Sequence, residues 1–273
     1  GLNVISAPLG AMLLGVLTLE EVLVIDVSTA VLAILPLLWT RVPQPTLFEG
    51  AGERREGAST VWGDLRDGFR YLSGQRGLMI VGLMTVGINF TVIPAYSLLP
   101  LLVTGVFGGD ALHLGWMESA MGIGTIAGGL LLGLWGGFRR KIVTSMAGLV
   151  GMGLGTLAIA LAPSSTLGLA LGGALLFGIM SPLTMGPFFA VVQSVVEPRM
   201  QARVLTLLSS VGGGMAPVGL MVAGPVADRF GIQSWFLVGG LLCVSMGALG
   251  CFLPALVSIE ERAGGGIDSV RKD

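Results

Sequence analysis

Charge is what this chain has least of. Of its 273 residues, 15 are basic and 16 acidic, so only 11% are charged and the net charge is −1. A soluble domain carries about 25%, and a shortage of this size excludes an ordinary water-facing surface. With the signs balanced and no basic tract, nothing would attract nucleic acid. A single histidine, His113, rules out a multi-histidine metal site. Neither a cofactor nor a catalytic residue is expected. The two cysteines, Cys243 and Cys251, lie eight apart in one apolar run. That is about 12 Å along a helix, too far for a disulfide within it, and both read as buried thiols. There is no signal peptide, and residue 1 is an apolar-flanked Gly rather than Met, which suggests that the beginning is missing.

What is abundant is hydrocarbon and glycine: 53% of the chain is hydrophobic and 45 residues are Gly, with no Gly-X-Y period. Crossing a bilayer core takes about 20 apolar residues as a helix. Eight runs qualify, near 2–18, 22–40, 77–103, 114–136, 142–162, 166–194, 204–226 and 235–257. They are continuous rather than alternating, and an open sheet could not satisfy its backbone in lipid. The expected class is an all-α polytopic membrane protein. Placing the segment after the second run in the cytoplasm puts 14 of the 15 basic residues inside, leaving only Arg229 outside; this agrees with the positive-inside rule for eight alternating spans.

The segment 41–76 divides the chain into a unit at 1–40 and a six-helix unit at 77–257, with a cytoplasmic tail at 258–273. Residues 43–59 have linker composition. Trp62, Leu65, Phe69 and Leu72 then recur at helical spacing, so an amphipathic helix is expected over 60–73, lying on the cytoplasmic membrane surface or packed against the protein.

One pattern occurs twice. Ala7, Pro8, Gly10 and Gly15 match Ala216, Pro217, Gly219 and Gly224 at an offset of 209 residues. An internal repeat at this scale speaks to the whole fold. It implies that the six-helix unit had a counterpart and that about 130 residues with four helices precede this chain, giving twelve spans in two parallel halves.

Twelve helices, parallel halves and a cytoplasmic linker with a surface helix resemble the major facilitator superfamily. Local stretches are similar to its macrolide-efflux-like drug and proton antiporters: SAPLGAMLLG, IPAYSLLPLLVTGVFGG, MESAMGIGTIAGGLLLGLWGG, PFFAVVQSVVEPRMQARV and APVGLMVAGPVADRFG. The resemblance implies a major-facilitator-type helix bundle whose eight transmembrane helices correspond to helices five to twelve. It covers nearly the whole chain without specifying a substrate. The antiporter signature of helix five is degenerate here, as Ala7-Pro8-Leu9-Gly10-Ala11, and the basic loop before Lys141, with Arg139 and Arg140, resembles part of a cytoplasmic gating loop.

Small-residue stripes occur at Ala7, Ala11 and Gly15, at Gly124 and Gly128, at Gly129 and Gly133, and at Gly151 and Gly155. Such stripes let helices approach closely, as static packing or as moving interfaces. GIGTIAGG at 122–129 lies inside an apolar helix with no preceding strand, so it is not a nucleotide loop. Pro94, Pro100, Pro182, Pro187 and Pro217 interrupt spans and could bend gates or fix kinks. The intramembrane acids Asp26 and Glu118 are candidates for proton coupling, or else reach the interface. Asn89 and Tyr96 share a face of the third run, and Met185, Phe189 and Gln193 form a stripe of the sixth; with Glu118 they are the expected substrate pathway, against a core-packing alternative. Pro8, Gly10, Pro217, Gly219, Arg139, Arg140 and Arg203 are assigned to gating or packing.

The expected function is secondary active export of an amphipathic drug-like, macrolide-like or siderophore-like molecule from the bacterial cytoplasmic membrane, coupled to protons. The alternatives are a facilitator of a lipid or metabolite, a polytopic membrane enzyme, or a channel. An enzyme would need clustered His, Asp, Ser or Cys at one face, and a channel would need filter loops longer than these connections. The partners are then the bilayer, the small-molecule substrate, the proton and the missing N-terminal helices. Alone, the chain is expected to be inactive.

Overall fold

The computed structural model describes residues 61–253, together with Glu21, Val24, Ser28 and Thr29, which are helical. Seven helices make up the first of these regions: α1 (Val61–Gly74), α2 (Arg76–Gly105), α3 (Ala111–Trp135), α4 (Lys141–Ala160), α5 (Leu167–Val195), α6 (Pro198–Phe230) and α7 (Ile232–Phe252). All but α1 are long and apolar enough to cross a membrane. The two runs before residue 41 lie outside the described residues, apart from those four positions.

Helix boundaries differ from the apolar runs where polar residues belong to helices. The third helix begins at Ala111 because Asp110 caps it: the N–H groups of Leu112 and His113 donate to Asp110 Oδ1 at 3.0 and 3.1 Å. His113 Nδ1 lies 2.6 Å from the same oxygen. The His113 side-chain hydrogen bond, followed by the backbone bonds, holds this exposed carboxyl below its ordinary range. Pro198 occupies the first turn of α6, where its missing N–H costs nothing. The polar residues Asp228 and Arg229 are helical rather than loop. Helix α6 stops only at Gly231, whose φ of 85° is left-handed and favours glycine.

The helix α4 is the centre of the bundle, packing most extensively against α5 on one side and α7 on the other, while α5 also takes α3. These contacts are made by backbone. A methyl group added at Gly155 would meet the carbonyl of Gly173 and the N–H of Phe177, and one at Gly173 would meet the carbonyl of Gly155. Gly153 and Gly240 make the same reciprocal approach between α4 and α7, and Gly148 lies against the backbone of Leu183 and Thr184. Gly124 and Gly128 press α3 onto the backbone from Leu175 to Ile179. Gly129 and Gly133, one residue further round α3, have no such neighbour among the described residues. Only one of the two α3 stripes is a packed seam.

The remaining layer is formed by α2 and α6. Pro94 cannot donate to the carbonyl of Phe90, and it is against this oxygen and the Pro94 ring that Gly219 of α6 rests. The Trp235 indole donates to the carbonyl of Thr91 at 3.2 Å and its ring lies 5.9 Å from that of Phe90. Helix α1 docks on α6 and α2: Leu72 is buried, Gly68 faces Leu207 and the carbonyl of Arg203, and the N–H of Glu197 donates to the Tyr71 hydroxyl at 3.3 Å.

Candidate functional site

A cavity of about 220 Å³ lies between α2, α5 and α6, near mid-helix and displaced toward the end carrying Arg76. Helix α2 supplies Thr85, Ile88 and Asn89, one turn apart on one face; α5 supplies Thr184, Met185, Phe188 and Phe189; α6 supplies Leu208, Ser209 and Gly212. The cavity is bounded on the α6 side by Gly212, whose missing side chain leaves room for the Asn89 amide. Asn89 Nδ2 donates to the carbonyl of Thr85 at 2.8 Å, which leaves the amide a second N–H and an oxygen to offer.

The opposite wall is aromatic and sulfur-bearing. The Phe188 and Phe189 rings meet edge to face at 5.7 Å, a favourable geometry for aromatic pairs. Met185 and Phe189 are part exposed, at 37% and 44%, and so present surface to a guest. Thr184 is fixed from behind: its hydroxyl donates to Met180, and the buried Ser145 hydroxyl donates to its carbonyl at 2.6 Å. The result is a largely apolar hollow with one amide and three hydroxyls at fixed positions, suited to orienting a bulky amphipathic molecule.

Of the expected pathway residues, Asn89, Met185 and Phe189 are brought together here. Tyr96 is not: although it shares a face of α2 with Asn89, it lies two turns on and lines a separate, smaller space of about 30 Å³ with Thr91, Met121 and Thr156. Tyr96 is within electrostatic range of Glu118, which is half-buried near the start of α3, one turn before Met121. Neither lines the cavity that Asn89 enters. Gln193 is exposed, one turn beyond Phe189, and its backbone carbonyl accepts from Gln201 Nε2 at 2.6 Å.

Gly219 is buried at the α2–α6 crossing, whereas Pro217 is exposed. Arg139 and Arg140 are exposed in the turn opened by Gly136 and Gly137, both left-handed. Arg203 is exposed on the first turns of α6. Asp26, Pro8 and Gly10 lie outside the described residues. The sequence reading missed Thr85, Thr184, Phe188, Ser209 and Gly212. The polar and small run Ser209 to Gly214 inside an apolar span was the available signal. Among the described residues no cluster of three metal-binding side chains occurs.

Six spans, welded by glycine on one side and enclosing a hollow on the other, define a multi-span protein of the cell membrane. A family model described as Major Facilitator Superfamily matches residues 1–220, and the chain belongs to that superfamily, a family of transporters. It is 28% identical over 242 residues to Macrolide efflux protein A of Streptococcus pyogenes, a match covering 88% of this chain and 58% of that protein. The protein of that name from Enterococcus faecalis is 27% identical over 80% of this chain and 66% of its own length. Multidrug efflux pump Tap of Mycolicibacterium fortuitum is 27% identical over 78% and 52%. The chain thus spans between about half and two thirds of these relatives.

Proposed function

We propose that the chain belongs to a secondary transporter that exports bulky amphipathic molecules, macrolide-like, otherwise drug-like or siderophore-like, by alternating access. The observation that carries this reading is the α2–α5–α6 cavity. Its Met185 and Phe189 wall adapts to varied apolar shapes, while Asn89 gives one point of polar orientation. The relatives named for macrolide and multidrug efflux support the same substrate class.

On this reading the six spans are helices seven to twelve, and the runs at 2–18 and 22–40 are helices five and six. The cavity then takes its second wall from the opposing half, so that the 273-residue chain alone does not pump. Glu118, beside Tyr96, serves as the proton site. Binding a proton neutralises the carboxylate and lowers the cost of carrying it through hydrocarbon, and release on the other side restores the charge.

Efflux of a macrolide and of a fluorescent amphipathic dye from cells expressing the reading frame that carries this chain tests both parts. Asn89→Ala and Phe189→Ala are expected to lower efflux of both compounds with expression unchanged. Glu118→Gln is expected to remove its dependence on the proton gradient. Wild-type efflux in the cavity variants would refute the site. Cavity-dependent uptake of a hydrophilic metabolite or a lipid, with neither drug moved, would assign a different substrate. Unaltered pH dependence in Glu118→Gln would end the coupling role.

A further inference from the structure

A second hollow lies beneath α1, outside the cavity just described. It measures about 260 Å³ and is walled by Phe69 and Leu72 of α1, Met79, Leu83 and Val86 of α2, and Val211 of α6 among others, with no charged side chain. Phe69 is 57% exposed and Leu83 71%, so the groove opens outward instead of being sealed by its own walls. Its wholly apolar lining suits an alkyl chain.

Two basic residues of α1 follow Phe69 around the helix. With successive residues about 100° apart on the helix, Leu72 falls about 60° from Phe69 on the buried side and Arg66 about 60° on the other. Arg70 follows at about 100°. Two exposed arginines, Arg66 and Arg70, therefore follow Phe69 on the side of α1 away from Leu72. This end of α2, next to Arg76, is the one that the distribution of basic residues places at the cytoplasmic interface, where anionic headgroups meet basic side chains.

We propose that this groove is a binding site for an anionic phospholipid. One acyl chain lies along Phe69, Met79 and Leu83, and the phosphate is held by Arg66 and Arg70. An apolar slot with two arginines beside it at headgroup depth matches both parts of such a molecule, and a neutral zwitterionic lipid matches only the slot. The site would tie the linker helix to the inner leaflet independently of what the transporter carries.

Native mass spectrometry of the 273-residue chain, titrated with phosphatidylglycerol and in parallel with phosphatidylcholine, reads the preference directly. Wild type is expected to retain phosphatidylglycerol more tightly by roughly thirtyfold, as two arginines near a membrane surface imply. Arg66→Gln/Arg70→Gln is expected to bring the two lipids level with the elution profile unchanged. Leu83→Trp, which fills the mouth, is expected to weaken both. Arg139→Gln/Arg140→Gln, on the same face but away from the groove, is expected to keep the preference. Equal retention of the two lipids by wild type would overturn the proposal. So would a preference surviving loss of Arg66 and Arg70, an equal loss in the Arg139/Arg140 variant, or exclusion of both lipids because another part of the protein fills the groove.

Discussion

The two sides of α5 are built on opposite rules. Toward α4 and α3 it meets glycine, and the helices touch backbone to backbone at Gly148, Gly155, Gly124 and Gly128. Toward α2 and α6 the same helix presents Met185, Phe188 and Phe189 to an open space of about 220 Å³. In a hydrocarbon solvent nothing squeezes helices together as water does, so association rests on van der Waals contact and weak hydrogen bonds. A seam without side chains maximises both and leaves no volume. A seam with large side chains and a hollow gives up contact and gains a place for a guest. The spans thus divide into a slab, α3, α5, α4 and α7, and a looser pair, α2 and α6, which meet each other closely at Gly219.

The largest test of this division is to add bulk to the slab. Gly128→Leu drives a side chain into the Ile179 backbone, which cannot yield as a rotamer can. The expected loss is about 3 kcal/mol or more, read as a lowered midpoint in denaturant titration in micelles. Gly129→Leu, one residue away, is expected to stay within about 0.5 kcal/mol of wild type. Similar losses in the two variants would erase the distinction between packed and open stripes.

Next comes Gly219→Ala, which places a methyl group against the Phe90 carbonyl oxygen and the Pro94 ring. A destabilisation of roughly 1–3 kcal/mol is expected. If thermal melts show none, α6 moves freely on α2 and the looser layer is looser than its one close contact suggests.

A smaller effect is expected in the hollow itself. Phe189→Ala removes a part-exposed ring whose main neighbour is Phe188, so the melting temperature should change little. Binding of a macrolide, followed by tryptophan fluorescence, should weaken roughly tenfold, or ~1.4 kcal/mol. A variant that melts early and binds normally would make Phe189 a core residue and place it with the slab.

The smallest effect belongs to neither seam. Asp110, outside the spans, has its carboxyl held below the ordinary value of 3.8 chiefly by its hydrogen bond with the His113 side chain. A folded-state value below the unfolded one means that its contribution is complete above pH 3.8. It fades as the pH falls through the lower folded value. The difference in melting temperature between wild type and Asp110→Asn should therefore be steady from pH 7 to 5 and shrink only at acid pH. A difference that grew on acidification would reverse the sign.

The existence of the spans was legible because continuous apolar runs admit few other structures in lipid. Their ends were less so, since Asp228 and Arg229 read as loop in sequence yet continue a helix that Gly231 terminates. The contrast between seams was hidden for a geometric reason. Gly124/Gly128 and Gly129/Gly133 have the same spacing and differ only by a rotation around α3, which depends on where α5 lies. Likewise the seven-residue spacing of Asn89 and Tyr96 placed them on one face, while the cavity that Asn89 enters is closed off before Tyr96 by the packing of other helices. Met185 and Phe189 could be placed together because their stripe has both the chemistry and the period. Thr85 and Thr184 were not, since a hydroxyl bonded to its own helix looks the same facing a cavity or a core.

The contact of α1 with α6 has a mechanical meaning. Tyr71 is bonded at the residue that precedes α6, and Gly68 sits on the carbonyl of Arg203 in the same helix. A displacement of the linker helix is thus delivered to α6 and, through Gln75, to α2, which form two walls of the hollow and are the layer least anchored by glycine. The linker has leverage where the bundle is most compliant. Tension along it acts on the shape of the cavity before it reaches the slab.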